Sequence, residues 1–194
     1  MRLLVTGTGR CGTTWLAKAI TEAGTACTHE VHWNWDRHGE GNWQAEVAWP
    51  AAPFTPLADA YVVHLVRHPL DTIRSRASWG SFSESPTDTR RYRLGQWAQR
   101  IVPAIAEGRS PLEKSAIHWV EWNRLVVGAS EFLRLEDLTA ADVTRLARIV
   151  NPDAEAGELP PRNNGAPELI DEIGWHDVEH VPGLLELAAK YGYR

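Results

Sequence analysis

"VTGTGRCGTTWLAKAI", Val5 to Ile20, places a glycine-rich turn between an apolar run and a helical pattern. Arg2 to Thr6 is short, apolar and β-friendly, while Leu16, Ile20 and Ala23 share one face of a helix expected over Thr14 to Ala23. The order is strand, loop, helix. Against the nucleotide-binding pattern G-x-x-x-x-G-K-[ST], the loop supplies Gly7, Thr8 to Cys11, Gly12, Thr13 and Thr14, so Thr13 stands where the lysine belongs. In ATPases that lysine meets the β- and γ-phosphates, and its loss removes charge where a triphosphate concentrates it. A shorter anion suits this loop better. Converging backbone N–H groups of Gly12, Thr13 and Thr14, the positive end of the following helix and the charge of Arg10 would together hold one phosphate. Without a ligand, the same glycines make only a tight strand-to-helix turn.

The unit repeats further along. Tyr61 to Val66 reads as a buried strand, and Arg67-His68-Pro69 opens a helix running through Trp79, with the proline in its first turn. Phe132 to Leu135 is a third strand candidate. Thr139 with Asp142 starts a helix carrying Val143, Leu146, Ala147 and Val150 at helical spacing. Two more helical patterns cover Arg91 to Ala106, interrupted by Pro103, and Leu112 to Val127. Strands alternating with helices predict an α/β fold with a mainly parallel sheet flanked by helices and ligands gathered at the carboxyl ends of the strands. The segment Asn34 to Ala58 has little periodicity and reads as a folded loop over a site.

Bulk properties bound the rest. A chain of 194 residues, 43% hydrophobic and with ten tryptophans, suits one domain spanning 1–194. Net charge is -5, so no global field draws it to nucleic acid, an anionic membrane or a polyanionic sugar chain. Cys11 and Cys27 are too few for a disulfide framework, and no leader or membrane-length apolar run is seen. A cytoplasmic protein with reduced thiols and no transmembrane segment is expected.

"GTGRCGTTWL" followed by "HLVRHPLDTIRSRAS" resembles the PAPS-dependent sulfotransferase superfamily, which uses 3′-phosphoadenosine 5′-phosphosulfate (PAPS) as sulfuryl donor and has a P-loop-type fold. The first stretch is similar to the family's 5′-phosphosulfate loop, written K-x-G-T-T-W. The resemblance assigns Gly9, Arg10, Cys11, Gly12, Thr13, Thr14 and Trp15 to the donor, with Arg10 in place of the usual lysine. Arginine is permanently charged and forked where lysine is a movable point charge. The second stretch resembles the 3′-phosphate motif, in which Arg67 and, eight positions on, Ser75 hold the 3′-phosphate. A solvated basic helix with Arg74 and Arg76 is the plainer reading of that stretch alone.

Sulfuryl transfer needs a base for the acceptor proton and positive donors on the departing oxygens. "EVHWNWDRH" is similar to the E-V-H-F-F-D stretch of heparan sulfate 3-O-sulfotransferases, which implies Glu30 as general base with His32 as its neighbour. Cytosolic aryl sulfotransferases use a histidine base, which keeps His32 and His29 open. The plain alternative is that Glu30 and His32 line one face of an edge strand. Trp33, Trp35, Trp43 and Trp49 suit either an aromatic acceptor wall or a core. Glu136 and Asp137 read as cap and positioning residues of the next helix. Pro160 to Trp175 falls where relatives place a loop over the adenosine and 3′-phosphate, which would close Arg162 to Gly165 over the nucleotide; a turn before a short helix is the plainer reading.

The expected function is transfer of the sulfuryl group from PAPS to a hydroxyl, or as second choice an amine, of a small-molecule or lipid acceptor, aromatic and apolar ones included. The 3′,5′-bisphosphate PAP is released, and no metal is required. The alternatives are a P-loop kinase using ATP and magnesium, for which no apolar strand ending in aspartate supplies a magnesium partner, and a non-catalytic PAP-binding protein.

Overall fold

The apolar run ahead of the glycine loop forms β1 (Arg2–Gly7), and the loop leads into α1 (Thr13–Glu22). In chain order there follow β2 (Cys27–His29), β3 (Ala45–Val47), a 3-10 segment over Trp49–Phe54 and β4 (Ala60–Val66). Next come α2 (Pro69–Ser78), α3 (Thr89–Ile101), α4 (Ala104–Glu107) and α5 (Pro111–Leu125). β5 (Glu131–Arg134), α6 (Ala140–Arg148) and α7 (Leu184–Lys190) complete the chain. The computed structural model describes residues 1–83, 89–162 and 172–193. Among these no helix is long and apolar enough to cross a membrane.

The five strands form one sheet in the order β2-β3-β1-β4-β5, and every pairing is parallel. The chain divides into two compact units. The first joins Met1–Val66 to the described part of 125–163 and holds the whole sheet; the second joins Arg67–Arg124 to the described part of 164–194.

In the first unit, side-chain alternation along β1 feeds two cores. Leu3 and Val5 face α1 and α6 with Leu16, Ile20, Val63, Leu65 and Leu146, all buried. Leu4 joins Trp33, Trp43, Ala48 and Ala51, with Phe54 packed beside them. Helix α6 starts where Thr139 and Asp142 predict: Thr139 Oγ1 accepts from the Asp142 amide at 3.3 Å, and Asp142 Oδ2 accepts from the Thr139 amide at 3.0 Å. The second unit buries an aromatic group in which His118 stacks on Trp122 at 4.9 Å and Trp97 meets Trp122 edge-on at 5.4 Å.

The expectation of a loop over 34–58 is corrected. That segment contains β3 and the 3-10 turn, and Trp33, Trp43 and Trp49 are buried to 4%, 3% and 2% exposure. A three-residue strand is too short to show period-2 alternation. The predicted helix over Arg91 to Ala106 breaks after Ile101 and resumes at Ala104, as Pro103 requires.

Candidate functional site

Residues 8–12 link the carboxyl end of β1 to α1, and two of them are left-handed: Arg10 at φ 76° and Gly12 at φ 95°. Only glycine suits position 12, where an added Cβ would come within 2.7 Å of both methyls of Leu135. Gly7 is fixed by proximity, since a Cβ there would lie 2.0 Å from the Leu65 carbonyl oxygen. Arg10 carries a Cβ and still adopts the left-handed region, at a cost of about 1–2 kcal/mol. Such turns aim successive backbone N–H groups into a concavity that suits an anion. The amides of Thr13 and Thr14, in the first turn of α1, have no acceptor within the helix. Thr8 is fully buried, and its hydroxyl has no hydrogen-bond partner among the described residues. An orphaned buried hydroxyl costs about 1–3 kcal/mol and is a ready partner for an anion's oxygen.

Strand β2 brings His29 to this loop. Its Nε2 lies 3.1 Å from Thr13 Oγ1, 3.4 Å from Thr14 Oγ1 and 3.3 Å from Glu30 Oε1. The Glu30 side chain is 10% exposed, and its backbone is left-handed at φ 54°. Nε2 carries either a hydrogen or a free lone pair. It therefore accepts from a threonine hydroxyl in one state and donates to the Glu30 carboxylate in the other. His32 is engaged elsewhere: its Nδ1 is 2.9 Å from the Glu40 carbonyl, and its own carbonyl accepts from the Gly39 amide at 2.8 Å. Of the two histidines weighed as alternative bases, His29 is the one that meets both Glu30 and the loop hydroxyls.

One residue that the sequence reading passed over supports this turn. Glu46, at the centre of β3, is fully buried. Its Oε1 accepts the amides of Val31 at 2.8 Å and His32 at 3.1 Å, and its Oε2 bonds the Thr28 hydroxyl. The available signal was a single charge inside the apolar "AEVAW". Burial, reinforced by the Glu46 charge, pushes the Cys27 thiol up to about 12.

Trp15 Nε1 donates to the Pro160 carbonyl at 2.8 Å, and the Arg162 guanidinium lies over the Trp15 ring at 5.0 Å. Arg162 also donates to the carbonyls of Glu136 and Leu138, at 3.2 and 3.0 Å. Asn163, Asn164 and Gly165 lie outside the described residues. Asp137 bonds Arg134 Nε at 2.5 Å, and the cap of α6 is Thr139 with Asp142, so capping by Glu136 and Asp137 is corrected. Cys11 is buried within the loop.

In the second unit, Arg67 directly follows β4, and Ser75 lies two turns along α2. Arg67 Nη2 is 3.9 Å from Asp71 Oδ2, and the Arg67 carbonyl accepts from Trp119 Nε1 at 3.4 Å. Asp71 also has Arg74 Nη2 at 4.0 Å, so α2 opens with a carboxylate between two guanidinium groups.

Compared with known proteins, the chain matches no family model and no curated protein sequence.

Proposed function

We propose that this chain transfers a sulfuryl group from PAPS to the hydroxyl of a small acceptor, with an amine as the second choice, and releases PAP. The observation that carries the reading is the approach of His29, with Glu30 beside it, to the hydroxyls of a lysine-free glycine loop. The loop suits a single anionic group: two left-handed residues, a ten-residue helix starting at Thr13 and the orphaned Thr8 hydroxyl all favour negative oxygen. An acid–base pair at the same place supplies what an acceptor hydroxyl needs.

When bound, the donor supplies a sulfuryl group whose leaving group is a phosphate. The acceptor oxygen forms a bond to sulfur as the bond from sulfur to the phosphate oxygen breaks, the electron pair leaving on that phosphate. Glu30 takes the acceptor proton, and His29, within 3.3 Å, can share it and keep it one hydrogen bond from the loop. Arg10 and the amides of Gly12, Thr13 and Thr14 stabilise charge gathering on the phosphate. For the 3′-phosphate the reading rests on the sequence pattern of Arg67 and Ser75 alone.

The test is a thermal-shift comparison of PAP, AMP and ATP with magnesium, followed by mass spectrometry of an acceptor library incubated with PAPS. Stabilisation specific to PAP and a sulfated product are expected. Glu30→Gln should lower turnover by roughly a hundredfold or more, with PAP stabilisation retained. Stabilisation by ATP with magnesium but not PAP would overturn the reading in favour of a kinase. PAP binding with no product from any acceptor would leave a non-catalytic binder.

A further inference from the structure

A carboxylate buried at the centre of a parallel sheet is costly, because it leaves water for a low-dielectric interior and must be matched by donors. An apolar side chain at position 46 would pack between Leu4 and Thr28, its register partners on the two neighbouring strands, without that cost. The donors that Glu46 collects all belong to one short stretch: the Thr28 hydroxyl and the amides of Val31 and His32. These bracket His29 and Glu30.

The two sides of β2 explain the arrangement. Side chains alternate along a strand, so Thr28 shares the Glu46 face, while Cys27 and His29 share the face of α1. Directly after His29 the backbone turns through a left-handed Glu30, which brings its carboxylate back to His29 Nε2. A non-glycine residue persists there only when its surroundings over-determine it, and Glu46 supplies two of the restraints immediately downstream.

We propose that Glu46 is a positioning residue: acting from the opposite face of the sheet through the amides of Val31 and His32, it holds Glu30 and His29 in register with Thr13 and Thr14. This rests on the function proposed above for its kinetic consequence, but not for its structural one. The carboxylate acts as an acceptor for backbone amides, so a neutral amide of the same shape should replace it. In Glu46→Gln the side-chain carbonyl oxygen would accept the same two N–H groups. The new NH2 would donate to Thr28 Oγ1, whose hydrogen can turn to the Ala45 carbonyl, already within 3.2 Å.

The experiment compares Glu46→Ala with Glu46→Gln in the full chain. In Glu46→Ala, kcat should fall by roughly thirtyfold or more while KM for PAPS moves less than about threefold, because misplacing a base costs turnover and leaves the anion loop intact. Hydrogen exchange at the Val31 and His32 amides should quicken by about tenfold or more, and the His29 ring resonances should shift. Glu46→Gln should restore kcat to within about fivefold and return exchange and ring signals toward wild type. Unchanged kcat in Glu46→Ala would overturn the inference, as would equal loss in both variants or a KM for PAPS rising in step with the fall in kcat. If Glu46→Ala does not fold, Thr28→Val removes one of the three donors and should give a smaller loss of kcat in the same pattern; no loss overturns the proposal. If the wild-type chain makes no sulfated product, the proposed function fails, and the exchange and ring signals alone decide on Glu46.

Discussion

Gly12→Ala tests the geometry of the glycine-rich loop most directly. The substitution adds one methyl at a residue with φ 95°, in the position that caps α1. Holding an L-residue in the left-handed region costs about 1–2 kcal/mol. The new Cβ would lie 2.7 Å from both Leu135 methyls. Leu135 is itself 7% exposed, so relief must displace core neighbours, at about 1–3 kcal/mol. Against this, alanine loses less unfolded-state freedom than glycine, recovering about 0.4–1 kcal/mol. The net is a loss of roughly 1–4.5 kcal/mol, a large share of the stability of an ordinary domain. Urea denaturation followed by far-UV circular dichroism measures it, and a Leu135→Ala background separates the two causes. With the leucine trimmed, the cost of Gly12→Ala should fall to about 0–1.5 kcal/mol. A loss below about 0.5 kcal/mol in the wild-type background, or the same larger loss in both, would refute the reasoning. Under the proposed function, PAP stabilisation should also vanish in this variant, because the amides of Thr13 and Thr14 are re-aimed.

Thr139→Ala removes half of the reciprocal cap on α6 and should cost about 1 kcal/mol by the same denaturation assay. Burial, then the Arg76 charge, holds His118 well below its ordinary value of 6.5. The unfolded chain therefore binds the proton first on acidification, so this contribution is complete above pH 6.5 and drains as pH falls below it. His118→Phe, which can keep the stack on Trp122, should flatten that acid limb of the urea midpoint. At the alkaline end, burial raises Cys27 from 9.0 and Tyr191 from 10.0, each to about 12. The folded chain keeps these protons longer, so their contribution is complete below pH 9.0 and lost as pH climbs toward 12. Cys27→Ala should weaken the alkaline decline.

The elements legible in the sequence are those whose cause is local. Strands β1, β4 and β5 follow from apolar runs, Pro69 opens α2, and Thr139 with Asp142 opens α6. The glycine loop was legible because the missing lysine and the added Arg10 are chemical facts at fixed spacing. The 45–47 strand was not, since its signal is three residues whose partners lie at Cys27–His29 and Leu3–Val5. Trp33 and Trp43 were ambiguous for the same reason: an indole suits a wall or a core, and only the packing of Trp33 against Trp43 and Phe54, at 6.4 and 5.3 Å, decides.

By itself the sequence determined an alternation of strands and helices and a glycine-rich loop at the end of the first strand, because apolar periodicity and glycine spacing act within a few residues. Which histidine meets that loop was decided only by the tertiary structure. His29, Glu30 and His32 are near-neighbours in the chain, and their different contacts follow a left-handed turn at Glu30, after which two amides are bonded by the buried carboxylate of Glu46, more than a dozen residues away. No local pattern encodes that restraint, since it exists only once β2 and β3 have paired.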